Sequence, residues 1–325
     1  MSQNGASQLR LNIPTVKALG HRLGLSPEVI IAASQIAGRN YSPFISLSKP
    51  LPFAINAVAL KQRRIDNPVS VTKEIQKKIY RRLLRELSMP SHIHGGIKGK
   101  TLLDNITPHL KARVVVTLDI KSFFPHITTF QVYNVWHRLL GCSPEVAAVL
   151  TQLTTFERHL PQGAPTSSTL ANLVLFSFDK PIRTFCAKNG IVYTTWIDDL
   201  IFSGVESRSV INIAVLALRA GGFSLPHKKL KIMSAGERIL VTGVLVGRKP
   251  GVLRKYVRHT RAGIHRLTIG CVPEWQVDVY VRKIRGRIAH INRFNPNTAR
   301  TLERQLLSVR PKLSSTAQDK LRNDT

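Results

Sequence analysis

The chain has 325 residues, with 48 Lys and Arg against 18 Asp and Glu, and a formal net charge of +30 at pH 7. Such a charge points to a polyanionic partner, with nucleic acid as the first candidate and an anionic membrane surface as the second. The cations are spread over many segments, which disfavours a membrane-surface helix, and no apolar run is long enough for a span. We therefore expect a cytoplasmic protein without membrane contact.

The beginning of the chain predicts helices followed by a basic hairpin. Residues 1–50 are expected to form a helical extension, in which Ser26 caps a helix that starts at Pro27. A strand, a turn and a second strand are predicted from Leu51 to Pro68, with Lys61, Arg63, Arg64 and Ile65 near the turn. A solvated hairpin and a clamp on a phosphate chain both explain these cations, and arginine's planar fork suits the clamp.

A valine-rich strand is predicted to end at Asp119, and two aromatic residues follow it. Phe123 is expected to pack in the core. If Asp119 holds a metal ion, a ring at Phe124 would lie against the sugar of an incoming nucleotide and could exclude a 2′-hydroxyl. Further on, the stiff loop around Gln162 and Gly163 leads into an apolar helix, whose start offers free N–H groups to an anion. An ordinary helix start explains this loop equally well.

Two adjacent carboxylates, Asp198 and Asp199, interrupt two β-rich runs between Val192 and Ser203. This pattern predicts a hairpin with the acids at its turn. Neighbouring acids repel one another unless a cation lies between them, although a solvated turn is the simpler explanation of this motif alone. With Asp119 as a third carboxylate, the set could hold two Mg²⁺ ions about 4 Å apart, as phosphoryl-transfer enzymes do.

From about Leu253 the composition becomes strongly basic. Arginines and lysines stud helical patterns in this part of the chain, and acids are few. A run of charge is usually a solvated face, but a nearly single-signed run favours a surface that binds a nucleic-acid backbone.

The order of these stretches resembles that of a reverse transcriptase over roughly residues 60 to 305, and bacterial retron reverse transcriptases most closely. The first palm motif is similar to Leu118–Phe124, the second to Leu160–Ser167, and the third to Tyr193–Ser203. Asn105-Ile106-Thr107-Pro108-His109 and Val241-Thr242-Gly243 are similar to two elements typical of retron enzymes. At the turn, Trp196-Ile197 replaces the usual Tyr-Ala.

The resemblance implies an α+β fold of the right-hand polymerase type, with fingers, an antiparallel palm sheet with helices, and a helical thumb. We expect the extension at 1–50, the fingers at 51–110, the palm at 111–250 with a helical insertion at 126–158, and a basic thumb at 251–325. The implied activity is RNA-directed DNA synthesis with two Mg²⁺ ions.

The resemblance also implies roles for individual residues. Asp119, Asp198 and Asp199 would be catalytic, and with the carbonyl of Ile120 they would hold the metal ions. The nucleotide would be bound by Lys61, Arg64, Phe124, Gln162, Gly163 and Lys229, the last a candidate proton donor to the leaving group. The RNA would be bound by Asn105, His109, Thr242, Gly243, Arg254, Lys255, Arg258, Arg282, Arg285 and Arg287. From spacing alone, Asn105 and His109 predict a local polar contact.

The implied partners are deoxynucleotides and a dedicated structured RNA that supplies both the template and a priming 2′-hydroxyl. An effector or toxin protein is a further implied partner, because retron enzymes are commonly parts of anti-phage systems. An RNA-binding scaffold that holds such an effector silent is the alternative function, and another defence-associated reverse transcriptase is a third.

Overall fold

A computed structural model describes residues 9–48, 61–226 and 229–323 of the chain. These residues fall into two compact units. The first contains the described residues up to Leu47 and from Gln62 to Thr242, and the second contains Ser48, Lys61 and the described residues from Gly243 onward. The first predicted strand at Leu51 lies outside the described residues, and the domain limits proposed from the sequence remain predictions. None of the described helices has the length and apolar character that a membrane span requires.

The first unit begins with two helices, a two-stranded ribbon and a third helix. These are α1 (Val16–Leu23), α2 (Pro27–Ile36), β1 (Tyr41–Ser48), β2 (Lys61–Pro68) and α3 (Ser70–Ile79). The predicted start of α2 is confirmed, because the Ser26 hydroxyl accepts a hydrogen bond from the N–H of Val29. Strand β1 pairs with β2.

The rest of the first unit alternates helices with the strands of its main sheet. Its elements are α4 (Leu102–Ile106), β3 (Val114–Asp119), α5 (Phe123–His126), α6 (Thr129–Asn134), α7 (Pro144–Thr154), α8 (Ser167–Phe178), α9 (Lys180–Lys188), β4 (Val192–Trp196), β5 (Asp199–Ser203), α10 (Val210–Ala220), β6 (Leu230–Ser234) and β7 (Leu240–Val241).

The main sheet has the strand order β4-β5-β3-β6, and every neighbouring pair is antiparallel. Strand β3, which the sequence predicts as the strand ending in an acid, lies in the interior of the sheet between β5 and β6. The mixture of helices with antiparallel sheet confirms the predicted α+β class.

One hydrophobic core connects the first unit. It joins buried side chains of the N-terminal helices, such as Leu19 and Ile30, to Leu150 of α7, Leu173 of α8 and Phe202 of β5. The N-terminal helices therefore pack into the same core as the sheet. Because each strand of a sheet alternates its faces, the apolar residues on this face fix the register of the strands that carry the acids.

The second unit is a helical bundle with its own core. It contains β8 (Val244–Leu245), α11 (Arg254–Thr268), α12 (Val277–Asn292) and α13 (Pro296–Asn323). Its core is formed by Ile264 and Leu267 of α11, Ile284 and Ile288 of α12, and Leu302 of α13. The apolar residues recur at helical spacing, so the polar sides of the helices, rich in arginine, remain outside.

Candidate active site

The predicted convergence of the acids is present at one end of the main sheet. Asp119, the last residue of β3, pairs with Asp199, the first residue of β5. Asp199 also pairs with Trp196 of β4, so that only Ile197 and Asp198 form the turn between the two strands. The N–H of Ile120 donates to the carbonyl of Asp198 over 3.0 Å. A backbone hydrogen bond therefore ties the turn to the end of the neighbouring strand.

The turn is strained and is held from one side by a glycine loop. Ile197 has φ +59°, a value that a β-branched residue rarely adopts. The N–H of His94 donates to the carbonyl of Thr195 over 3.0 Å. A Cβ added at Gly95 would lie 2.6 Å from the backbone nitrogen of Ile197. Gly95 therefore allows a close approach that no other residue permits, and the loop supports the strained turn.

Burial and mutual repulsion shape the charges of the acids. Burial raises the pKa of Asp199 to about 6, and the charges of Asp198 and Asp119 add to this rise. Burial also raises the pKa of Asp198, as does the charge of Asp119, whereas Lys229 and Arg63 lower it. A dication bound among these carboxylates would relieve the repulsion.

A cation already contacts the atoms that the sequence assigns to metal. The ammonium of Lys229 donates to Asp119 Oδ1 and lies 3.5 Å from the carbonyl oxygen of Ile120. These hard oxygen donors suit Mg²⁺. As the side chains stand, the described residues contain no group of three His, Cys, Asp or Glu ligands close enough to hold an ion. The donor atoms are of the kind that Mg²⁺ prefers, and an ion bound to Asp119 would have to displace Lys229.

The two neighbouring arginines of β2 have different surroundings. Arg64, assigned to the nucleotide by the sequence, instead pairs with Asp66 at 2.8 Å and with Glu157 at 2.7 Å. The positive charge of Arg63, by contrast, lowers the pKa of Asp198. Successive side chains of a strand point to opposite faces, which explains the difference. Arg63 is one of the cations that the sequence places in the possible phosphate clamp, although only Lys61 and Arg64 are assigned to the nucleotide. The side chain of Lys61 lies outside the described residues.

The loop predicted to shape the nucleotide pocket contacts β2. The carbonyl of Gln162 accepts from the N–H of Asp66 over 2.8 Å. Gly163 has φ +126°, and a Cβ there would lie 2.8 Å from Cγ2 of Ile65. Phe124 is half-buried at the edge of the core. Phe123 is 2% exposed, which confirms that it packs in the core.

Asn105 and His109 are both fully buried, and this corrects their assignment to RNA. Nδ1 of His109 lies 2.7 Å from the Ser203 hydroxyl, and Nε2 lies 2.8 Å from that of Thr194. Burial lowers the pKa of His109 to about 4, so the ring is neutral at physiological pH. The Thr194 hydroxyl donates to the carbonyl of Asn105, which leaves Nε2 as the donor of His109. The local contact between Asn105 and His109 predicted from spacing is wrong, because the hydrogen bonds of His109 go to Ser203 of β5 and Thr194 of β4.

The basic residues assigned to RNA in the second unit are exposed, with one exception. Arg254, Lys255, Arg258, Arg282 and Arg285 all lie on the helix surfaces. Arg287 is only 9% exposed, and its guanidinium lies over the ring of Tyr256 at 5.6 Å. Its predicted RNA contact is therefore corrected to a packing role inside the bundle. Thr242 and Gly243 both have positive φ, at 45° and 85°, as a type I′ turn requires.

The sheet, its three acids and the basic helical unit together define a nucleic-acid polymerase. Residues 58–259 match the family described as reverse transcriptase (RNA-dependent DNA polymerase). The chain is 30% identical to the retron Ec86 reverse transcriptase of Escherichia coli over 71% of each chain. It is 28% identical to the retron Mx65 reverse transcriptase of Myxococcus xanthus, over 75% of this chain and 61% of that one. It is 26% identical to the retron Se72 reverse transcriptase of Salmonella heidelberg, over 77% of this chain and 70% of that one.

The chain therefore belongs to the bacterial retron reverse transcriptases, and it is an RNA-directed DNA polymerase.

Proposed function

We propose that this enzyme copies a dedicated structured RNA into single-stranded DNA that stays linked to the RNA, starting from a 2′-hydroxyl, and that it does so in anti-phage defence beside an effector protein. The observation that carries the chemical part is the pairing of Asp119 with Asp199 across β3 and β5, beside the Asp198 turn. The similarity to three retron enzymes supports the RNA-linked product.

Three carboxylates and one carbonyl form the proposed metal site. Asp119, Asp198 and the carbonyl of Ile120 would bind two Mg²⁺ ions, and Asp199 would support them. The bound ions would supply activation of the primer hydroxyl and neutralisation of the charge on the leaving pyrophosphate. The short link from the N–H of Ile120 to the carbonyl of Asp198 would fix the distance between the two sides of the site.

The nucleotide would be bound beside β2 and the loop at Gln162, which are hydrogen-bonded to each other. Arg63, whose charge acts on Asp198, is our candidate for the triphosphate contact, with Lys61 two residues before it on the same strand. Gln162 and Gly163 would shape the pocket, and Phe124 would lie against the sugar. Lys229 would move from Asp119 when the ions bind and could then give a proton to the leaving group.

The exposed cations of the second unit would hold the RNA. Residues 243–325 contain 18 Lys and Arg against 5 Asp and Glu. Such a surface recognises phosphates and the shape of a folded RNA, and its affinity falls with salt. Arg254, Lys255, Arg258, Arg282 and Arg285 are the exposed residues that we assign to this contact.

Sequencing the nucleic acid that copurifies with the protein tests this function. DNA joined to RNA through a bond that resists proteinase and disappears on treatment with a debranching enzyme is the expected product. Recovery of RNA alone from cells that express the active chain would contradict DNA synthesis and would support the scaffold that holds an effector silent. The Asp198→Asn variant provides the matched control, since it should retain the RNA but carry no DNA.

A further inference from the structure

Asp66 is a buried carboxylate with polar contacts on several sides. It is 2% exposed and lies near the end of β2, facing the loop before α8. Its Oδ2 accepts from the N–H of Gln162 over 3.3 Å and lies 3.3 Å from Nε2 of His159. Its own N–H donates to the carbonyl of Gln162 over 2.8 Å, and Oδ1 pairs with Nε of Arg64 at 2.8 Å. A charge buried to this degree needs such partners.

The contacts of Asp66 reach a second strained turn. Glu157 and Arg158 both have positive φ, at 45° and 65°, and neither is a glycine. Phe156 and His159 exchange two backbone hydrogen bonds of 2.9 Å across them. Arg64 joins Glu157 to Asp66 by its two ion pairs, and its guanidinium lies 5.9 Å from the ring centre of Phe156. These contacts hold the turn and strand β2 together in a conformation that the turn alone would not favour.

The contacts of Arg64 and Asp66 also fix the orientation of the opposite face of β2, which carries Arg63. Arg64 and Asp66 share one face of β2, since side chains two residues apart point the same way. Arg63 lies on the opposite face, where its charge acts on Asp198. Ile65, which lies between Arg64 and Asp66 in the strand, packs closely against the backbone of Gly163, where a side chain would not fit. Fixing the Arg64 face on the loop therefore holds Gln162 against β2 and keeps Arg63 on the opposite face of the strand.

We propose that Asp66 is a positioning residue for the incoming deoxynucleotide, which it serves by fastening β2 to the loop that carries Gln162 and Gly163. This inference rests on the proposed function of that pocket. Arg64 acts in the same network, through Asp66 and Glu157, and not as a ligand of the triphosphate. The network determines nucleotide affinity and leaves the chemistry at the three acids unchanged.

The test compares two buried aspartates with matched partners. Asp179 is 1% exposed and pairs with Nε2 of His92 at 2.8 Å and with Nε of Arg183 at 2.6 Å. Asp66→Asn and Asp179→Asn each replace a carboxylate by an amide of the same size. We expect Asp66→Asn to raise the KM for deoxynucleotides about tenfold with kcat within about twofold of the wild type. Asp179→Asn should leave this KM within about twofold.

A second variant and a binding measurement keep the test decisive if Asp66→Asn does not fold or if no DNA is made. His159→Gln keeps Asp66 in place, and we expect a KM increase of about threefold. The Kd of a deoxynucleotide, measured by calorimetry on the RNA-bound protein in Ca²⁺, should rise in the same order. An unchanged KM and Kd in Asp66→Asn, or an equal rise in Asp179→Asn, would overturn the proposal. If the wild type binds the nucleotide but makes no DNA, the proposed function fails and these Kd values still decide the role of Asp66.

Discussion

Lys229 donates its ammonium protons to the carboxylate of Asp119, on the strand end that pairs with the Asp-Asp hairpin. Lysine and a divalent ion would therefore compete for the same oxygen atoms. Because the ammonium lies also within 3.5 Å of the Ile120 carbonyl, both donors assigned to metal on this strand are contacted by one side chain.

Lys229→Met should increase the affinity of the enzyme for Mg²⁺. Removal of the competing ammonium leaves Asp119 free, so we expect the Mg²⁺ concentration for half-maximal synthesis to fall about fivefold. Primer extension over a series of Mg²⁺ concentrations measures this half-maximal concentration. Lys231→Met is the control, because Lys231 acts on Asp199 and is not bonded to Asp119. An equal or higher Mg²⁺ requirement in Lys229→Met would show that the lysine does not compete with the ion.

Gly95→Ala should disable the enzyme without unfolding it. The new Cβ would lie 2.6 Å from the backbone of Ile197, and the Asp-Asp turn would have to move. Since catalytic groups tolerate little displacement, we expect a loss of about 10²-fold in kcat. Single-turnover primer extension measures this loss. At Gly38 an added Cβ meets nothing within 4 Å, so Gly38→Ala should keep full activity. Full activity in Gly95→Ala would mean that the loop does not support the turn.

The stability of the protein should fall in acid because of His109. Its folded pKa of about 4 lies below the ordinary value of 6.5, so the unfolded chain binds a proton in this range that the folded chain does not. Stability therefore falls as the pH drops from 6.5 towards 4. Between pH 7.5 and 4.5 we expect this residue to cost roughly 2–3 kcal/mol of unfolding free energy.

Urea denaturation at the two pH values measures that contribution. The difference in unfolding free energy should shrink in His109→Gln, whereas His126→Gln, at an exposed position, should behave as the wild type does. The same pH dependence in all three proteins would contradict a buried neutral ring at residue 109.

Two arginines of α12 should respond in opposite ways to replacement by glutamine. Arg285 is exposed, so Arg285→Gln should weaken RNA binding and reduce the salt slope of the affinity by about 1. Arg287 is buried against Tyr256, so Arg287→Gln should lower the melting temperature. Filter binding over a salt series and thermal unfolding separate the two. A stable Arg287→Gln protein with a reduced salt slope would return Arg287 to the RNA surface.

The sequence predicts the main sheet well because the pattern of each strand and its acid is local. The Val-rich strand ending in Asp119 and the hairpin around Asp198 appear where expected. Ser26 likewise marks the start of its helix correctly, since a cap depends on neighbours three residues away.

Errors arise where a side chain's surroundings depend on distant partners. Arg63 and Arg64 are adjacent and chemically identical, but Arg64 pairs with Asp66 and also with Glu157, which lies 93 residues away in the chain. Asn105 and His109 look like surface groups in a polar motif, but their partners are on β4 and β5. Whether a polar group is buried depends on tertiary contacts, and a single sequence does not reveal which distant residues make them.

Primer extension on the cognate RNA by the Asp198→Asn variant tests the central claim most directly, since DNA synthesis at this site would need all three carboxylates. The amide keeps the size of the side chain but removes the charge that would bind the ion, so the rate should fall by at least about 10³-fold at saturating Mg²⁺. The variant should bind the RNA and melt as the wild type does. Full-length DNA from Asp198→Asn at a rate near that of the wild type would contradict the account.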